Sequence, residues 1–502
     1  MSNFNPTQEQ LDIIEAFKHT RVLKVNASAG SGKTSTLKML ADANVVPSIY
    51  LSFNRAIADE ASSKFPRHVS CRSQHQVAYS VFGKMLAHKL TRSKGNVYIN
   101  VAGTVSEIVK YYKIDDFQTS EDTILARSVG TLVKEAVQRF QYSKDDKLEL
   151  HHISKKSLKE ITKGIDESKV KDLQYLVLRY ANKLWKDKVD PLSPVLAEHD
   201  TYLKLWQLSN PVLPYEIVYL DESQDTNPVI YDVVSKQTHC KIVYVGDKHQ
   251  SIYAFRQAIN AMDKIEAPEK YLTKSFRFGQ TIADVATFII NGQMDIRGAE
   301  WINSQLLDHT PKQYAMLFRT NAGLIDQAVR LIAEGKRIRC DIDTYKFEQQ
   351  LKSAEALLFE DHKNVKDETV ALYSKWADLL DALDEHVELK RVVDVVTSGR
   401  TKMYLQALSK LKKQQGSYDI LLVTAHKAKG MEWDNVVIAD DFDLKKVLDV
   451  SSDGKVSEQE VNLFYVACTR AKLGLKLPKE FLEVYSEYYL DFNIEDFDDG
   501  HN

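Results

Sequence analysis

The stretch Ala27-Ser28-Ala29-Gly30-Ser31-Gly32-Lys33-Thr34 follows an apolar, strand-like run and precedes a helical pattern. Small residues at a strand-to-helix turn let backbone N–H groups close around phosphates, and the helix N-terminus adds its positive end. In such a loop the lysine reaches the β- and γ-phosphates and the threonine hydroxyl binds Mg²⁺. Ala27 stands where the simplest form of the motif has glycine, so a loop with a purely structural role is the alternative. We predict a phosphate-binding loop, with Lys33 as a catalytic residue and Thr34 as a metal ligand.

A second motif supports this prediction. The acids of Asp221-Glu222-Ser223-Gln224 directly follow the apolar strand-like run Ile217–Leu220. In open parallel sheets, ligands bind in the crevice outside the carboxyl ends of the strands. Adjacent acids there lack a structural purpose, because unpaired buried charge is costly. We therefore predict that Asp221 binds Mg²⁺ and that Glu222 polarises an attacking water.

Alternating strand-like and helical runs define the organisation of the chain. The predicted strands are Arg21–Val25, Pro47–Phe53, Glu216–Leu220, Lys241–Val245, Tyr314–Phe318, Ile420–Val423 and Asn435–Ile438, and the first predicted helices are Lys33–Leu40 and Ala56–Lys64. Such alternation is typical of parallel sheets covered by helices. The sequence thus predicts an α/β fold with two domains, each carrying a mainly helical insertion. The predicted ranges are 1–84 and 201–272 for the first domain, 85–200 for its basic insertion, 273–320 and 416–485 for the second domain, 321–415 for its smaller insertion, and 486–502 for an acidic tail.

Composition excludes some classes of protein. The 502 residues carry a net charge of −3 and four cysteines that form no CxxC pair, which favours reduced thiols over a zinc or iron–sulfur site. An apolar run of about 20 residues and a signal-peptide pattern are both missing, so we expect neither membrane insertion nor secretion. Residues 84–188 hold 21 Lys/Arg against 14 Asp/Glu, which suits either a phosphate backbone or a solvated helical surface. Residues 487–499 hold six acids and no base, so disorder is the default expectation there, with mimicry of DNA charge as the alternative.

Taken together, the motifs resemble those of superfamily-1 DNA helicases of the UvrD/Rep group. They appear in the order of that family from Phe4-Asn5-Pro6-Thr7-Gln8 to Lys472, over nearly the whole chain. The segments Leu51-Ser52-Phe53-Asn54-Arg55, His199–Trp206 and Asp440-Asp441-Phe442 are most similar to the F-box DNA helicase branch. We expect no F-box segment, since the first motif starts almost at residue 1. The resemblance implies two RecA-like P-loop NTPase domains.

The resemblance also implies further residues at the nucleotide. Gln8 would read adenine, Gln250 of the third motif would sense the γ-phosphate, and Gly430 and Glu432 of the fifth motif would contact the nucleotide. Arg277 of the fourth motif and Arg470 of the sixth would act as arginine fingers, which stabilise the charge that spreads over the γ-phosphoryl oxygens. A surface salt bridge is the alternative for each arginine.

Single-stranded DNA is typically bound by aromatic platforms beside a basic track. The resemblance implies DNA contacts from eight residues: Phe53, Asn54, Arg55, His75, Tyr253, Phe255, Thr424 and His426. For Phe53 the alternative is a core position at the end of a strand.

The expected activity follows from the same resemblance. It is an ATP- and Mg²⁺-dependent translocase on single-stranded DNA that acts as a 3′-to-5′ helicase on tailed or forked duplexes, as a monomer in its minimal form. The alternative is a protein-displacing factor on single-stranded DNA, such as one that removes recombinase, with weak or no unwinding. We expect a cytoplasmic protein of a bacterium or a phage-infected cell, with a single-strand-binding or recombination protein as a further partner. The span 321–415 is short for the second insertion of this family, so unwinding is less firmly implied than translocation.

Overall fold

A computed structural model of the chain describes residues 5–90, 103–119, 123–252, 261–367, 369–373, 375–381, 383, 387–414, 416–448 and 457–498. The chain divides into two compact units. The first contains the described residues up to Ala27 and those from Gly32 to Leu272, and the second contains Ser28–Ser31 and the residues from Thr273 onward.

The first unit is built on a six-stranded parallel sheet with the order β3-β2-β6-β7-β1-β8. Its strands, with a small antiparallel pair β4–β5 outside the sheet, are β1 (Val22–Ala27), β2 (Ser48–Ser52), β3 (Val69–Ser73), β4 (Phe117–Gln118), β5 (Thr123–Ile124), β6 (Ile217–Leu220), β7 (Lys241–Gly246) and β8 (Glu269–Leu272). All residues of β2 and β6 are buried, as expected for central strands covered on both faces.

Helices cover both faces of this sheet and form a separate layer beside it. They are α1 (Gln8–His19), α2 (Lys33–Ala43), α3 (Arg55–Lys64), α4 (Gln74–Ala78), α5 (Lys84–Leu86), α6 (Val105–Tyr112), α7 (Ala126–Tyr142), α8 (Lys155–Ile161), α9 (Glu167–Val189), α10 (His199–Leu208), α11 (Pro228–Ser235) and α12 (Ala261–Lys264). Val218 and Leu220 belong to one hydrophobic cluster while Tyr219 belongs to another, because successive strand residues face opposite sides.

The helices α6 to α9 have their own core, which includes Val133, Phe140 and Val177. Not every lysine of this basic region faces solvent. Lys89 is fully buried, and its Nζ donates to the carbonyls of Asp187, Lys188 and Asp190. The Lys89 ammonium thereby joins residue 89 to residues 187–190 at the other end of the insertion, so part of the local positive charge has a structural role.

The second unit also contains a six-stranded parallel sheet, with the order β11-β12-β10-β13-β14-β9. Its strands are β9 (Gln305–Leu306), β10 (Tyr314–Phe318), β11 (Ile338–Cys340), β12 (Ile420–Thr424), β13 (Trp433–Ile438) and β14 (Ala471–Lys476). Its helices are α13 (Gln280–Ile289), α14 (Asn321–Ala333), α15 (Thr344–Leu358), α16 (Trp376–Asp381), α17 (Val387–Thr397), α18 (Thr401–Lys413), α19 (Ala425–Ala428), α20 (Leu444–Val447), α21 (Glu458–Cys468) and α22 (Lys479–Asp498).

The predicted α/β class with two parallel sheets is confirmed. Each predicted strand is present to within two residues, whereas the alternation pattern missed the small pair β4–β5 and five strands of the two large sheets, namely β3, β8, β9, β11 and β14. Of these five, β3, β8, β9 and β11 are edge strands that are short or polar, so they lack the continuous apolar run of a central strand, and β14 is next to an edge. β11 lies within the span 321–415 and pairs with β12, so part of that span belongs to the sheet.

The expectation of a disordered acidic tail is wrong as far as Asp498. Helix α22 continues through this sequence from Lys479. Its first turns are anchored by Phe481 and Tyr485, whose rings pack against Phe288. This apolar anchoring stabilises a helix that charge composition alone disfavours. Within the described residues, the helices are too short or too polar to span a membrane.

Candidate nucleotide site

The predicted phosphate loop lies between β1, which ends at Ala27, and α2, which begins at Lys33. Gly32 is the N-cap of α2 and has a left-handed backbone, with φ 80° and ψ 32°. Glycine adopts this conformation without the steric cost that a Cβ atom brings. As a glycine, this N-cap has no side chain that could bond to the N–H groups of the helix. The first turn therefore presents backbone N–H groups and the positive helix end to an anion.

The apex of the loop, Ser28–Ser31, has its contacts within the second unit. The backbone N–H of Phe276 donates to the carbonyl of Gly30 at 2.8 Å, and the Ser275 hydroxyl donates to the carbonyl of Ala29 at 2.9 Å. A Cβ atom on Gly30 would lie 2.6 Å from the Cβ atom of Arg277. Gly30 is thus required by close packing as well as by its φ of 74°.

The predicted metal ligands lie within reach of each other. The Thr34 hydroxyl is 3.5 Å from Asp221 Oδ2, and the hydroxyl of buried Tyr50 donates to the same oxygen at 2.6 Å. Burial, together with the neighbouring charge of Glu222, raises the pKa of Asp221 to about 6. A nearby cation would stabilise the charged form of this buried carboxylate. A hydroxyl and a carboxylate oxygen are ligands that Mg²⁺ prefers, so the donor set fits this ion.

Glu222 lies beside Lys33, with 3.6 Å between Oε1 and Nζ. Its backbone is left-handed, with φ 52°, which is uncommon for a residue that carries a side chain. Such strain is found most often at functional sites. The Gln224 amide donates to Glu222 Oε2, and Gln224 Oε1 accepts from the backbone N–H of Asp247 at 3.1 Å. Gln224 thereby fixes the orientation of the Glu222 carboxylate.

The third predicted motif is brought to the same edge of the sheet, because β7 lies between β6 and β1. Gln250 is buried after the end of β7, and its Nε2 donates to Asp247 Oδ2 at 2.7 Å. Lys33, Thr34, Asp221, Glu222 and Gln250 therefore follow the carboxyl ends of three adjacent strands.

Gln8 is not part of this group. It is exposed at the start of α1, and its amide donates to Asp12 Oδ1 at 2.7 Å. Gln10 is buried instead, and its Nε2 donates to the Thr36 hydroxyl on α2 at 3.1 Å. Adenine reading by Gln8 stays a prediction, while Gln10 ties α1 to the helix behind the loop.

The second unit contains the two predicted arginine fingers. Arg277 Nε donates to Glu432 Oε2 at 2.9 Å, and its NH1 donates to the carbonyl of Thr469 at 3.2 Å. Arg470 is only 1% exposed, and it donates to the carbonyls of Val466 and Met431 and to the Thr469 hydroxyl. Gly430 has a left-handed backbone with φ 84°.

The predicted DNA contacts in the first unit have local roles that need no DNA. The Asn54 side chain caps α3 by accepting from the N–H of Ile57 at 2.9 Å, and Arg55 pairs with Asp59 at 3.3 Å. Phe53 is half-buried beside them. These side chains remain candidates, since Asn54 and Arg55 are exposed at the end of β2.

The other candidates are distributed as follows. His75 on α4 is 36% exposed, and its Nε2 lies 3.5 Å from Asp200 Oδ1. In the second unit, Thr424 is the N-cap of α19 and His426 is half-buried on the same helix. Tyr253 and Phe255 lie outside the described residues. Each assignment to DNA stays a prediction.

Sequence reasoning missed Tyr50, Gln10 and Gln224. Tyr50 lies in the middle of the buried strand β2 and looks like an ordinary core residue. Its importance depends on the pairing of β2 with β6, which places Tyr50 opposite Tyr219, two residues before Asp221. The position of Gln224 directly after Asp221-Glu222-Ser223 was the available signal, but its partner Asp247 is 23 residues away in sequence.

An α/β sheet with a glycine-containing phosphate loop and paired acids at its carboxyl edge defines a P-loop protein. Comparison of the sequence with known families specifies the class further. The model of the UvrD/REP helicase N-terminal domain matches residues 6–267, and that of the UvrD-like helicase C-terminal domain matches residues 419–477. The chain belongs to the UvrD/REP helicase family, which confirms the resemblance inferred from the motifs.

Two curated relatives align with nearly the whole chain. F-box DNA helicase protein 1 of Schizosaccharomyces pombe is 32% identical over 96% of this chain and 58% of its own length. F-box DNA helicase 1 of Gallus gallus is 30% identical over 98% of this chain and 51% of its own length. The chain thus spans between a half and three fifths of these relatives.

Proposed function

We propose that this protein hydrolyses ATP with Mg²⁺ to move along single-stranded DNA, and that it unwinds duplex DNA in the 3′-to-5′ direction. The observation that carries the ATPase part is the group at the carboxyl edge of the first sheet. There, Lys33 is 3.6 Å from Glu222 and Thr34 is 3.5 Å from Asp221, at an uncapped helix N-terminus.

Each side chain of this group has a distinct role in the proposal. The N-terminus of α2 and the Lys33 ammonium bind phosphate oxygens, and Thr34 and Asp221 hold Mg²⁺. When bound, Mg²⁺ supplies positive charge for the phosphoryl oxygens. Glu222, held by Gln224, orients a water and accepts its proton. Gln250, whose amide donates to Asp247, would respond to the γ-phosphate.

The DNA part of the proposal rests on relatives as well as on residues. The two aligned relatives are both named DNA helicases. Candidate contacts in the first unit include exposed Arg55 and half-exposed His75, which suit phosphate or base contacts without sequence specificity. The 3′-to-5′ direction follows from the resemblance to the UvrD/Rep group.

The test uses the full chain with duplexes that carry a 3′ tail, a 5′ tail or no tail. We expect hydrolysis stimulated by single-stranded DNA and unwinding of the 3′-tailed duplex. Lys33→Ala and Glu222→Gln should abolish both, with losses of roughly 10³-fold or more. Lys38→Ala is the matched control, because Lys38 is on the same helix but pairs with Asp42 at the surface.

The outcomes separate the parts of the proposal. If only the 5′-tailed duplex is unwound, the proposed 3′-to-5′ direction is wrong. An ATP hydrolysis rate that is the same with and without single-stranded DNA would exclude a DNA motor. Displacement of a bound recombinase without strand separation would support the protein-displacing alternative.

A further inference from the structure

A second group of side chains that could bind a metal lies in the helical part of the first unit, in the loop between α7 and α8. The ligand atoms of Asp145, His151 and His152 all lie within 4.8 Å of one another. Neither phosphate binding nor DNA contact uses these residues, so the group needs its own explanation.

The spacing suits one small cation. Asp145 Oδ2 is 2.6 Å from His151 Nε2 and 3.1 Å from His152 Nε2. Zinc–ligand bonds of about 2.0–2.1 Å in a tetrahedral site place neighbouring ligand atoms about 3.3 Å apart. To admit the ion, the Asp145 carboxylate would therefore have to move away from each imidazole nitrogen by less than about 1 Å.

The surroundings of the two imidazoles resemble the outer shell of metal sites. Ligating histidines generally direct their second ring nitrogen toward a carboxylate or a backbone carbonyl. Here the Nδ1 atom of His151 is 3.7 Å from Glu149 Oε2. The Nδ1 atom of His152 lies 3.0 Å from the backbone nitrogen of Glu149 and 3.2 Å from its carbonyl oxygen, so as a zinc ligand this ring would hold its proton on Nδ1 and donate to the carbonyl. One residue thus faces the second nitrogen of both rings.

The group is also held in place. The His152 side chain is 2% exposed and meets the Phe140 ring edge-on, with 5.3 Å between centroids. Lys204 on α10 donates to the carbonyls of Ser143 and Asp145 at 2.8 and 2.5 Å. Its ammonium is used by backbone oxygens, so Asp145 keeps its carboxylate for the histidines. His151 is 56% exposed, so solvent reaches the group and a water could serve as a fourth ligand.

We propose that Asp145, His151 and His152 bind a zinc ion, which would fasten the loop of residues 143–152 beside α10. Two imidazoles and one carboxylate favour zinc or a similar transition metal over Mg²⁺, which prefers oxygen ligands. The alternative is a hydrogen-bonded cluster of an acid and two histidines that takes no metal.

The test measures Zn²⁺ binding to the full chain after treatment with a chelator, by competition with a chromogenic zinc indicator. The wild-type chain should bind one equivalent of Zn²⁺. The His151→Ala chain should bind it with an affinity at least 10-fold weaker. His151 is 56% exposed, so its removal should leave the fold intact. Asp145→Asn is the second variant, and His309→Ala is the matched control, since His309 pairs with Asp308 without a second histidine.

A thermal readout checks the structural role. Zn²⁺ should raise the Tm of the wild-type chain and of His309→Ala, but not that of His151→Ala. Equal zinc affinity in wild type and His151→Ala, or no binding in the wild type, would overturn the proposal. The result does not depend on ATP hydrolysis, so it stands or fails separately from the proposed function.

Discussion

The two parallel sheets each have six strands, but their candidate nucleotide residues lie at different ends of the strands. In the first unit, Lys33, Asp221 and Gln250 follow the carboxyl ends of strands. In the second unit, Glu432 and Arg470 directly precede β13 and β14, at the amino ends of those strands. The first arrangement is the usual ligand edge of an open sheet, while the second is not. Glu432 and Arg470 thus lie at the opposite strand ends from Lys33, Asp221 and Gln250.

The charged groups of the two units also differ in how they are held. Lys33 and Glu222 form an ion pair whose side chains are 11% and 22% exposed. Arg470, by contrast, is buried and donates to acceptors of its own unit, while Arg277 is 15% exposed and is held by Glu432. A buried guanidinium is difficult to release, so Arg470 has a structural role beside any role in hydrolysis.

The largest expected effect separates the two arginines. Arg277→Ala should lower kcat for ATP by roughly 10³-fold with little change in Tm, because its ion pair is near the surface. Arg470→Ala should lower kcat and also destabilise the second unit by about 2–4 kcal/mol, because it leaves buried carbonyls without donors. Steady-state hydrolysis and thermal unfolding measure the two effects. Arg337→Ala is the control, since Arg337 forms an exposed pair with Asp419.

An unchanged kcat in Arg277→Ala would mean that its pair with Glu432 is only structural. Equal loss of stability in both variants would remove the proposed difference between the arginines.

A smaller effect is expected from the tyrosine behind the first site. The Tyr50 hydroxyl donates to Asp221 Oδ2 at 2.6 Å, so Tyr50→Phe removes an orienting contact of the proposed metal ligand. Loss of such a contact typically weakens metal binding by 10–100-fold. The Mg²⁺ concentration for half-maximal hydrolysis should rise accordingly, while kcat at saturating Mg²⁺ falls less. In the control, Tyr219→Phe, a tyrosine hydroxyl is removed from the adjacent strand, and no shift is expected.

The sequence predicted the central strands of both sheets better than their edge strands. Central strands such as β6 and β12 are apolar on both faces, so periodicity finds them, and edge strands such as β11 (Ile-Arg-Cys) lack that pattern. The phosphate loop and the two acids could be predicted because their chemistry is contiguous in sequence. Tyr50 and Gln10 could not, because each acts through a partner on another element.

The second unit shows a further limit of sequence reasoning. Motif likeness points to Arg470 but not to its burial, which depends on how α21 and β14 fold around it. Burial and pairing are tertiary properties, and the same arginine in a surface turn would have the same motif. The roles of the predicted site residues consequently stay predictions to be tested one by one.

The smallest expected effect concerns the candidate DNA residues of the first unit. Asp200 lies 3.5 Å from His75 and accepts from the Tyr142 hydroxyl at 3.0 Å. Burial raises the pKa of Asp200, but His75 and Tyr142 outweigh it and hold this pKa below its ordinary value, so the carboxylate is charged. A charged Asp200 would orient His75 toward DNA. His75→Ala should therefore weaken single-stranded DNA binding by roughly 5- to 10-fold, near the lower limit for one base contact.

Asp200→Asn should weaken binding less, by about 2- to 5-fold, because His75 remains in place without its charged partner. If Asp200 acts only through His75, the double variant His75→Ala/Asp200→Asn binds no more weakly than His75→Ala alone. Fluorescence anisotropy with a labelled oligonucleotide measures all three, with His88→Ala as an exposed control histidine of the same unit. Additive losses would show instead that Asp200 acts on its own, through the packing of α10 against α7, and His75 would then lose its proposed positioning residue.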